Sequence, residues 1–289
     1  MKPEGMYRGD GVCDFSQADR LAEFAQAHDM VLRGHTLVWH SQTPRTFFLD
    51  ENGNRLEKAA LYARLERYMT AVMTHFKGKA AYWDVVNEAV ADGGPGVYRE
   101  NSPWFEICGG EFVAEAFRIA HRIDPDAALY YNDYGLIHPY KREKALTMLR
   151  ELKAAGVPIT GVGIQAHWNA HTFNPQELQN TIDAFSELGL DVQITELDMS
   201  IHAPGARRET GSQTVFTPEL EELQAEKYAQ AFEVFRRSAD KISSVTFWGI
   251  SDRYTWLSNF PVRGRKDYPL LFDGDFQPKK AFEKVMDWK

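Results

Sequence analysis

The sequence predicts an α/β fold, a barrel of parallel strands each followed by a helix. Three observations point to it. Six near-continuously apolar runs of strand-forming residues alternate with helical patterns, as strands covered on both faces should. These runs end in polar or ionisable residues: His40, Glu88, Asp133, His167, Asp198 and Asp252. No GxGxxG or GxxxxGK[ST] loop follows the first run, although a doubly wound sheet, which also binds ligands at its strand ends, usually carries such a loop. In a (β/α)8 TIM barrel the strand C-termini converge on one face, and that face holds the active site.

The elements follow in order. The first run is VLRGHTLVWH, residues 31–40. A helix follows, with Leu61, Leu65, Met69, Val72, Met73 and Phe76 on one face. The second run, AAYWDVVNE, spans 80–88, and a helix with Val113, Ala116, Phe117 and Ala120 comes after it. The runs ALYYND (128–133) and ITGVGIQAHW (159–168) are next, with Gly156 as a helix stop between them. NPQE opens a helix carrying Leu178, Ile182 and Phe185; Asn174 is the expected N-cap and Pro175 the first helical residue. Gly189 stops that helix before DVQITELD (191–198). TPELEE opens a long helix after Thr217, and SVTFWGISD (244–252) is the last run. Strands alternating with helices imply parallel βα units. No Gly/Ser-rich or low-complexity linker interrupts them, so residues 1–289 are expected to form a single domain.

Composition excludes several classes. With 44% hydrophobic residues in 289, the chain can bury a sizeable core. A formal net charge of −8 and the lack of a Lys/Arg run argue against nucleic acid as a partner. The apolar runs are too short to span a bilayer, so no membrane association is expected. The opening residues, MKPEGMYRGDG, have no signal-peptide core, and only Cys13 and Cys108 are cysteines. A cytoplasmic location is the expectation. His167 and His171 have a zinc-like spacing, but it starts on a strand end with no third ligand set. Neither a metal nor a cofactor is expected.

Strand side chains alternate faces. His35 with Trp39, Asp84 with Glu88, Gln165 with His167, Glu196 with Asp198, and Trp248 with Asp252 each share a parity. Any one pair could be a satisfied polar group at a strand end; five together point to a site. Glu88 in VVNEA and Glu196 in ITELD are its centre. Two carboxylates across a barrel mouth can hydrolyse glycosides, one as general acid and the other attacking the anomeric carbon or activating water. Different surroundings can separate their pKa values. Structural ion pairs are the alternative. Seven tryptophans support a sugar site, because indole faces stack on sugar rings. Trp39, Trp168, Trp248 and Trp256 fall at or just past strand ends. Trp83 and Trp288 are expected in packing, and Trp104 in either role.

Along essentially its whole length the chain resembles the endo-1,4-β-xylanases of glycoside hydrolase family 10. The matching motifs are GHTLVWHSQ, WDVVNEA, YYNDY, GVGIQAHW, ITELD and VTFWGISDRYTWL, with NFPVRGRKDYPLLFD after the last. That last block and the stretch after it look most like the short members without signal peptides, which are taken to act inside the cell on imported xylo-oligosaccharides. The resemblance implies that Glu88 is the acid/base and Glu196 the nucleophile of a retaining mechanism. It implies that Asn87 holds the sugar 2-hydroxyl, that Gln165 and His167 lie near the nucleophile, and that Asp198 orients His167. His35, Trp39 and Lys2 match glycone-side contacts. Trp248 and Trp256 match the indole wall of the cleaved sugar, and Tyr134 an aglycone-side stacking residue. No cofactor is implied, and xylan or xylo-oligosaccharide is the implied partner.

The departures from the family are two. The chain begins inside the motif that contains Lys2, after the position of the second strand, so the barrel is expected to be N-terminally truncated to strands 3–8. NDYN reads NDYG here, at Asn132 to Gly135. An open barrel has two edges, expected at residues 31–39 and 244–250, and apolar edges template association. A homo-oligomer is therefore expected, unless residues 1–12 fold back over one edge. Two further functions compete with a xylanase. One is a weakly active or inactive xylo-oligosaccharide-binding barrel, and the other a retaining β-glycanase such as a cellulase.

Overall fold

The computed structural model describes residues 1–205 and 215–287. They form two compact units, residues 1–133 with 140–163, and residues 134–139 with the described residues from 164 onward. Trp288 lies outside the described residues.

The first unit opens with a single helical turn, α1 (Pro3–Met6), and a hairpin of β1 (Tyr7–Gly9) and β2 (Val12–Cys13). The hairpin turns at Gly11, whose φ of +74° suits glycine. It adds no strand to the edge of the larger sheet; β1 and β2 pair only with each other. Tyr7 instead packs on Phe47 and Tyr68, with ring centroids 4.8 and 6.2 Å away. Next come α2 (Ser16–Ala27), β3 (Leu32–Trp39), α3 (Lys58–His75) and β4 (Ala80–Asn87). They are followed by α4 (Pro103–Cys108), α5 (Glu111–Ile123), β5 (Ala128–Asp133) and α6 (Pro139–Ala154). The strands β3, β4 and β5 pair in parallel in that order, with Trp39 opposite Asn87 and Asn87 opposite Asn132.

Helix α3 buries the predicted stripe from Leu61 to Met73, and Phe76 beyond it reaches Trp83 on β4. Trp83 lies flat on β3 because residue 34 is glycine: a Cβ there would sit 2.2 Å from Trp83 Cε3. Trp104 is core, packed on Phe48 and Phe112. Two helices carried no clear periodic signal. Helix α2 buries only alanines, Ala18, Ala22 and Ala25, and exposes Leu21 and Phe24. Helix α6 buries Lys141 and Arg142 beside its leucines.

Strand β6 (Gly161–Ile164) straddles the division between the units. The second unit holds β7 (His167–Asn169), α7 (Pro175–Glu187), β8 (Asp191–Ser200), α8 (Pro218–Arg237), β9 (Ile242–Phe247) and α9 (Lys280–Met286). Strand β8 pairs in parallel with β7 on one side and β9 on the other. The run 159–168 is thus two strands, because Ala166 takes a left-handed φ of +65° between them. The caps form as the sequence predicts. Asn174 accepts from the Gln176 and Glu177 amides, Thr217 accepts from the Leu220 amide, and Gly156 and Gly189 take φ of +65° and +69°. Trp168 faces the core, with its ring on Phe173 and Phe235, so its place at a strand end gives it no open face. Among the described residues no helix is long and apolar enough to cross a membrane.

Candidate active site

In the first unit the polar side chains gather where β3 and β4 end. Glu88 follows the last residue of β4 with φ +57°, a region that a side chain makes costly. Its amide donates to Asn132 O (2.9 Å), and Arg99 Nε donates to its carbonyl (3.2 Å). The indole Nε1 of Trp39 donates to Glu88 Oε2 at 2.8 Å, and His40 Nε2 lies 4.0 Å from the same oxygen. Burial, reinforced by the Arg99 cation, lowers the His40 pKa to about 4, so this imidazole is neutral at pH 7. The carboxylate of Glu88 therefore meets a neutral donor and a neutral ring.

Four residues earlier, Asp84 is buried between Arg33, to which it is paired, and His35, whose Nδ1–H donates to Asp84 Oδ2 at 2.9 Å. Burial alone would raise the Asp84 pKa, but the Arg33 charge and the His35 bond outweigh it and hold it low. His35 is thereby fixed beside Trp39, with ring centroids 6.0 Å apart. Asn87 is buried, and its Oδ1 accepts from Asn132 Nδ2 at 2.9 Å, which fixes the orientation of its amide. Lys2 Nζ lies 4.9 Å from the centroid of the Trp39 ring and donates to Gln42 Oε1 at 2.6 Å. Five predicted residues of this unit, Lys2, His35, Trp39, Asn87 and Glu88, thus form one connected group.

In the second unit the group is built on β7 and β8. Glu196 and Asp198 are both buried on β8, two apart and on one face. His167 sits between them. Its Nε2 is 3.2 Å from Glu196 Oε2, and its Nδ1 is 3.0 Å from Asp198 Oδ1. The second contact is an ion pair whose angle is poor for a hydrogen bond. Trp256 Nε1 donates to Asp198 Oδ2 at 2.8 Å, its ring centroid lies 4.9 Å from that of His167, and the Trp248 centroid lies 6.3 Å away. Burial pulls the His167 pKa down, yet the charges of Asp198 and Glu196 prevail and raise it to about 10. Burial raises Asp198 as well, opposed by His167 and Trp256. The result is a histidinium held between two carboxylates. Gln165 is buried before the Ala166 bend, and Tyr134 is half-buried directly after β5.

Two of the polar strand ends serve the framework instead. Asp133 is fully buried, 3.0 Å from Lys141 Nζ and bonded to the Tyr131 hydroxyl; burial raises its pKa to about 6 against the pull of Lys141. Asp252 is likewise raised by burial to about 6, paired with Lys279 at 3.0 Å, and accepts from the Leu270 amide. His171 faces Ile201 O at 3.0 Å, apart from the Glu196 group. The described residues contain no group of three or more His, Cys, Asp or Glu side chains able to hold a metal ion.

Sequence reasoning did not name Arg33, Gln42, Arg99 or Lys141. Gln42 stands within the WHSQ stretch. Arg99 lies in a glycine-rich loop and carries no local signal.

Comparison with known proteins extends these observations. Residues 1–288 match the family model described as Glycosyl hydrolase family 10. A Beta-1,4-xylanase of Dictyoglomus thermophilum is 46% identical over 286 residues, which are 99% of this chain and 79% of that protein. The crystal structure of xylanase XynB from Paenibacillus barcinonensis, complexed with a conduramine derivative, matches with a TM-score of 0.96 at 39% identity, covering 100% of this chain and 86% of that one. A mutant structure in complex with xylotriose matches with a TM-score of 0.95 at 44% identity, covering 99% and 87%.

Proposed function

The chain belongs to glycosyl hydrolase family 10, a family of (β/α)8 barrels, and we propose that it is a retaining endo-1,4-β-xylanase with Glu88 as acid/base and Glu196 as nucleophile. The observation that carries this assignment is the asymmetry between the two carboxylates. Glu196 lies 3.2 Å from a histidinium, and a cation there favours the charged form that a nucleophile needs. Glu88 accepts instead from the Trp39 indole, with His40 Nε2 4.0 Å from the same oxygen, and takes the acid/base role of a retaining pair.

The reaction then runs in two displacements. Glu88 protonates the glycosidic oxygen while Glu196 attacks the anomeric carbon, and the aglycone leaves. Glu88, now ionised, takes a proton from water, and that water breaks the glycosyl–Glu196 ester with net retention. His167 keeps Glu196 charged and oriented, and Asp198 fixes His167. Asn87 is placed to hold the 2-hydroxyl. Trp248 and Trp256 offer indole faces to the cleaved sugar, and Gln165 serves near the nucleophile. Lys2, His35 and Trp39 serve the glycone side and Tyr134 the aglycone side. Xylan and xylo-oligosaccharides are the substrates.

Reducing-sugar release from xylohexaose, measured for the native chain and Glu196→Gln, tests the reading. Release that disappears in the variant is expected. A native chain that binds xylohexaose without cleaving it would overturn the reading. Aryl xylobioside and aryl cellobioside compared side by side separate a xylanase from a cellulase, since xylose lacks the hydroxymethyl group.

We also propose that the chain self-associates and works in the cytoplasm on short fragments. Support for association comes from apolar surface: Leu21, Phe24, Met30 and Val31 near β3, and Ile250 and Tyr254 after β9, are more than half exposed. Light scattering at micromolar concentration and cell fractionation test these two points. A monomer, or activity confined to the medium, would refute the respective proposal.

A further inference from the structure

We propose that Asp92, Arg99 and Lys141 are positioning residues for the reaction, holding the backbone of Glu88 where its carboxyl can deliver a proton; the proposal rests on the reading of Glu88 as acid/base. Glu88 has a left-handed φ of +57°. A residue with a side chain pays about 1–3 kcal/mol for such a conformation and keeps it only where its surroundings over-determine it.

A circuit of charges does so here. It starts at the Glu88 carbonyl, which accepts from Arg99 Nε at 3.2 Å. The same guanidinium places Nη2 2.8 Å from Asp92 Oδ2. The other oxygen of Asp92 accepts from Lys141 Nζ at 2.8 Å. Lys141 is almost fully buried and lies 3.0 Å from Asp133 Oδ1. Asp133 accepts from the Tyr131 hydroxyl, and that hydroxyl oxygen accepts from the Val90 amide at 3.0 Å. The circuit thus leaves the chain at residue 88 and returns at residue 90. The two peptide groups that follow the Glu88 side chain are pinned from both ends.

The sequence explains why charge is used. The loop between Asp92 and Arg99 reads DGGPGVYR, and its glycines supply no side chains to pack. Lys144 Nζ donates to the carbonyls of Gly93 and Gly94, at 3.1 and 2.6 Å. Backbone bonds from Ala91 N to Val97 O and from Arg99 N to Ala89 O close the loop on itself. Ion pairs that run from a buried lysine to a half-exposed aspartate are weak stabilisers compared with an apolar core, but they fix geometry. Geometry is what an acid catalyst requires, because a misplacement of about 1 Å can cost on the order of 10²-fold in rate.

The experiment measures kcat/KM, which reports the first chemical step, for aryl β-xylobiosides of decreasing leaving-group ability. Arg99→Ala, Asp92→Asn and Glu88→Ala are compared with the native chain. A dinitrophenolate leaves without a proton, whereas a poor leaving group needs one. Arg99→Ala is expected to lose up to about 10²-fold on the poorest leaving group and little on dinitrophenyl xylobioside. Added guanidinium should restore part of that loss. Asp92→Asn, at a half-exposed position and mild for the fold, should show the same trend more weakly. Losses equal across the series, or none, in both variants while Glu88→Ala shows a steep dependence would overturn this inference alone. A flat series for Glu88→Ala would overturn the acid/base reading and this proposal with it.

Discussion

Replacing Asp198 with Asn removes one charge from a buried trio and leaves its shape in place. The size of the effect follows from His167. A pKa raised from 6.5 to about 10 against opposing burial corresponds to roughly 5 kcal/mol in favour of the imidazolium, at about 1.36 kcal/mol per pKa unit. Asp198 contributes ahead of Glu196 to that rise. Without it, burial should return the imidazole to its ordinary range or below. The sign for stability is fixed by the direction of the shift. A raised histidine pKa stabilises the fold fully below about pH 6.5, and the contribution disappears as pH climbs towards about 10. Breaking a buried pair costs about 3–5 kcal/mol, and relief from burying the Asp198 charge offsets part of that. Near pH 6 the variant should therefore lose about 3 kcal/mol, or roughly 6 °C in Tm, with the gap closing as pH rises. In the rate, a neutral His167 leaves Glu196 without its cation, so the alkaline limb of kcat/KM should move towards neutral pH. The assays are Tm and kcat/KM across the pH range, with an NMR titration of His167. A native His167 that titrates near 6.5, or native and variant pH profiles that superimpose, would refute the coupling.

Other predictions follow from single contacts. Glu196→Ala should lower turnover by several orders of magnitude, with azide restoring part of the rate and giving product of inverted configuration; full activity in the variant would remove Glu196 as nucleophile. Gly34→Ala brings a Cβ to 2.2 Å from the Trp83 ring and should cost about 1–3 kcal/mol, read as a lower urea midpoint; an unchanged midpoint would show that the strand shifts freely. Asn174→Ala removes the acceptor of two amides at the start of α7 and should cost about 1 kcal/mol by the same measurement; an unchanged midpoint would show that the cap adds nothing to stability.

Much of the framework was legible because covered strands are apolar throughout and a covered helix repeats its apolar residues every three or four positions. Helix α3 shows this from Leu61 to Met73. Helix α2 was hidden because its buried face is alanine, which scarcely differs from a solvated pattern. The bend at Ala166 was hidden for a different reason: a left-handed φ announces itself in sequence when glycine supplies it, and here alanine does.

The site was legible to the extent that strand parity exposes it. Glu196 and Asp198 alternate correctly, and the structure adds His167 between them. Parity did not separate them from Asp133 and Asp252, which also end apolar runs. Among the contacts described, the group that meets each carboxylate differs. Lys141 and Lys279 each bring a compact ammonium on a long stem, buried with the carboxylate it meets. Each such carboxylate is tied to an ammonium that also bonds to neighbouring groups of the framework. Glu88 and Glu196 are answered by flat rings, Trp39 and His167, that each donate along one edge. A ring that meets a carboxylate by its edge keeps its faces as a surface that a sugar can stack on. Those partners are distant in sequence: Trp39 precedes Glu88 by 49 residues and His167 precedes Glu196 by 29. The carboxylates proposed for the chemistry could be read from the chain, but the partners described for them are ones that only the fold brings to them.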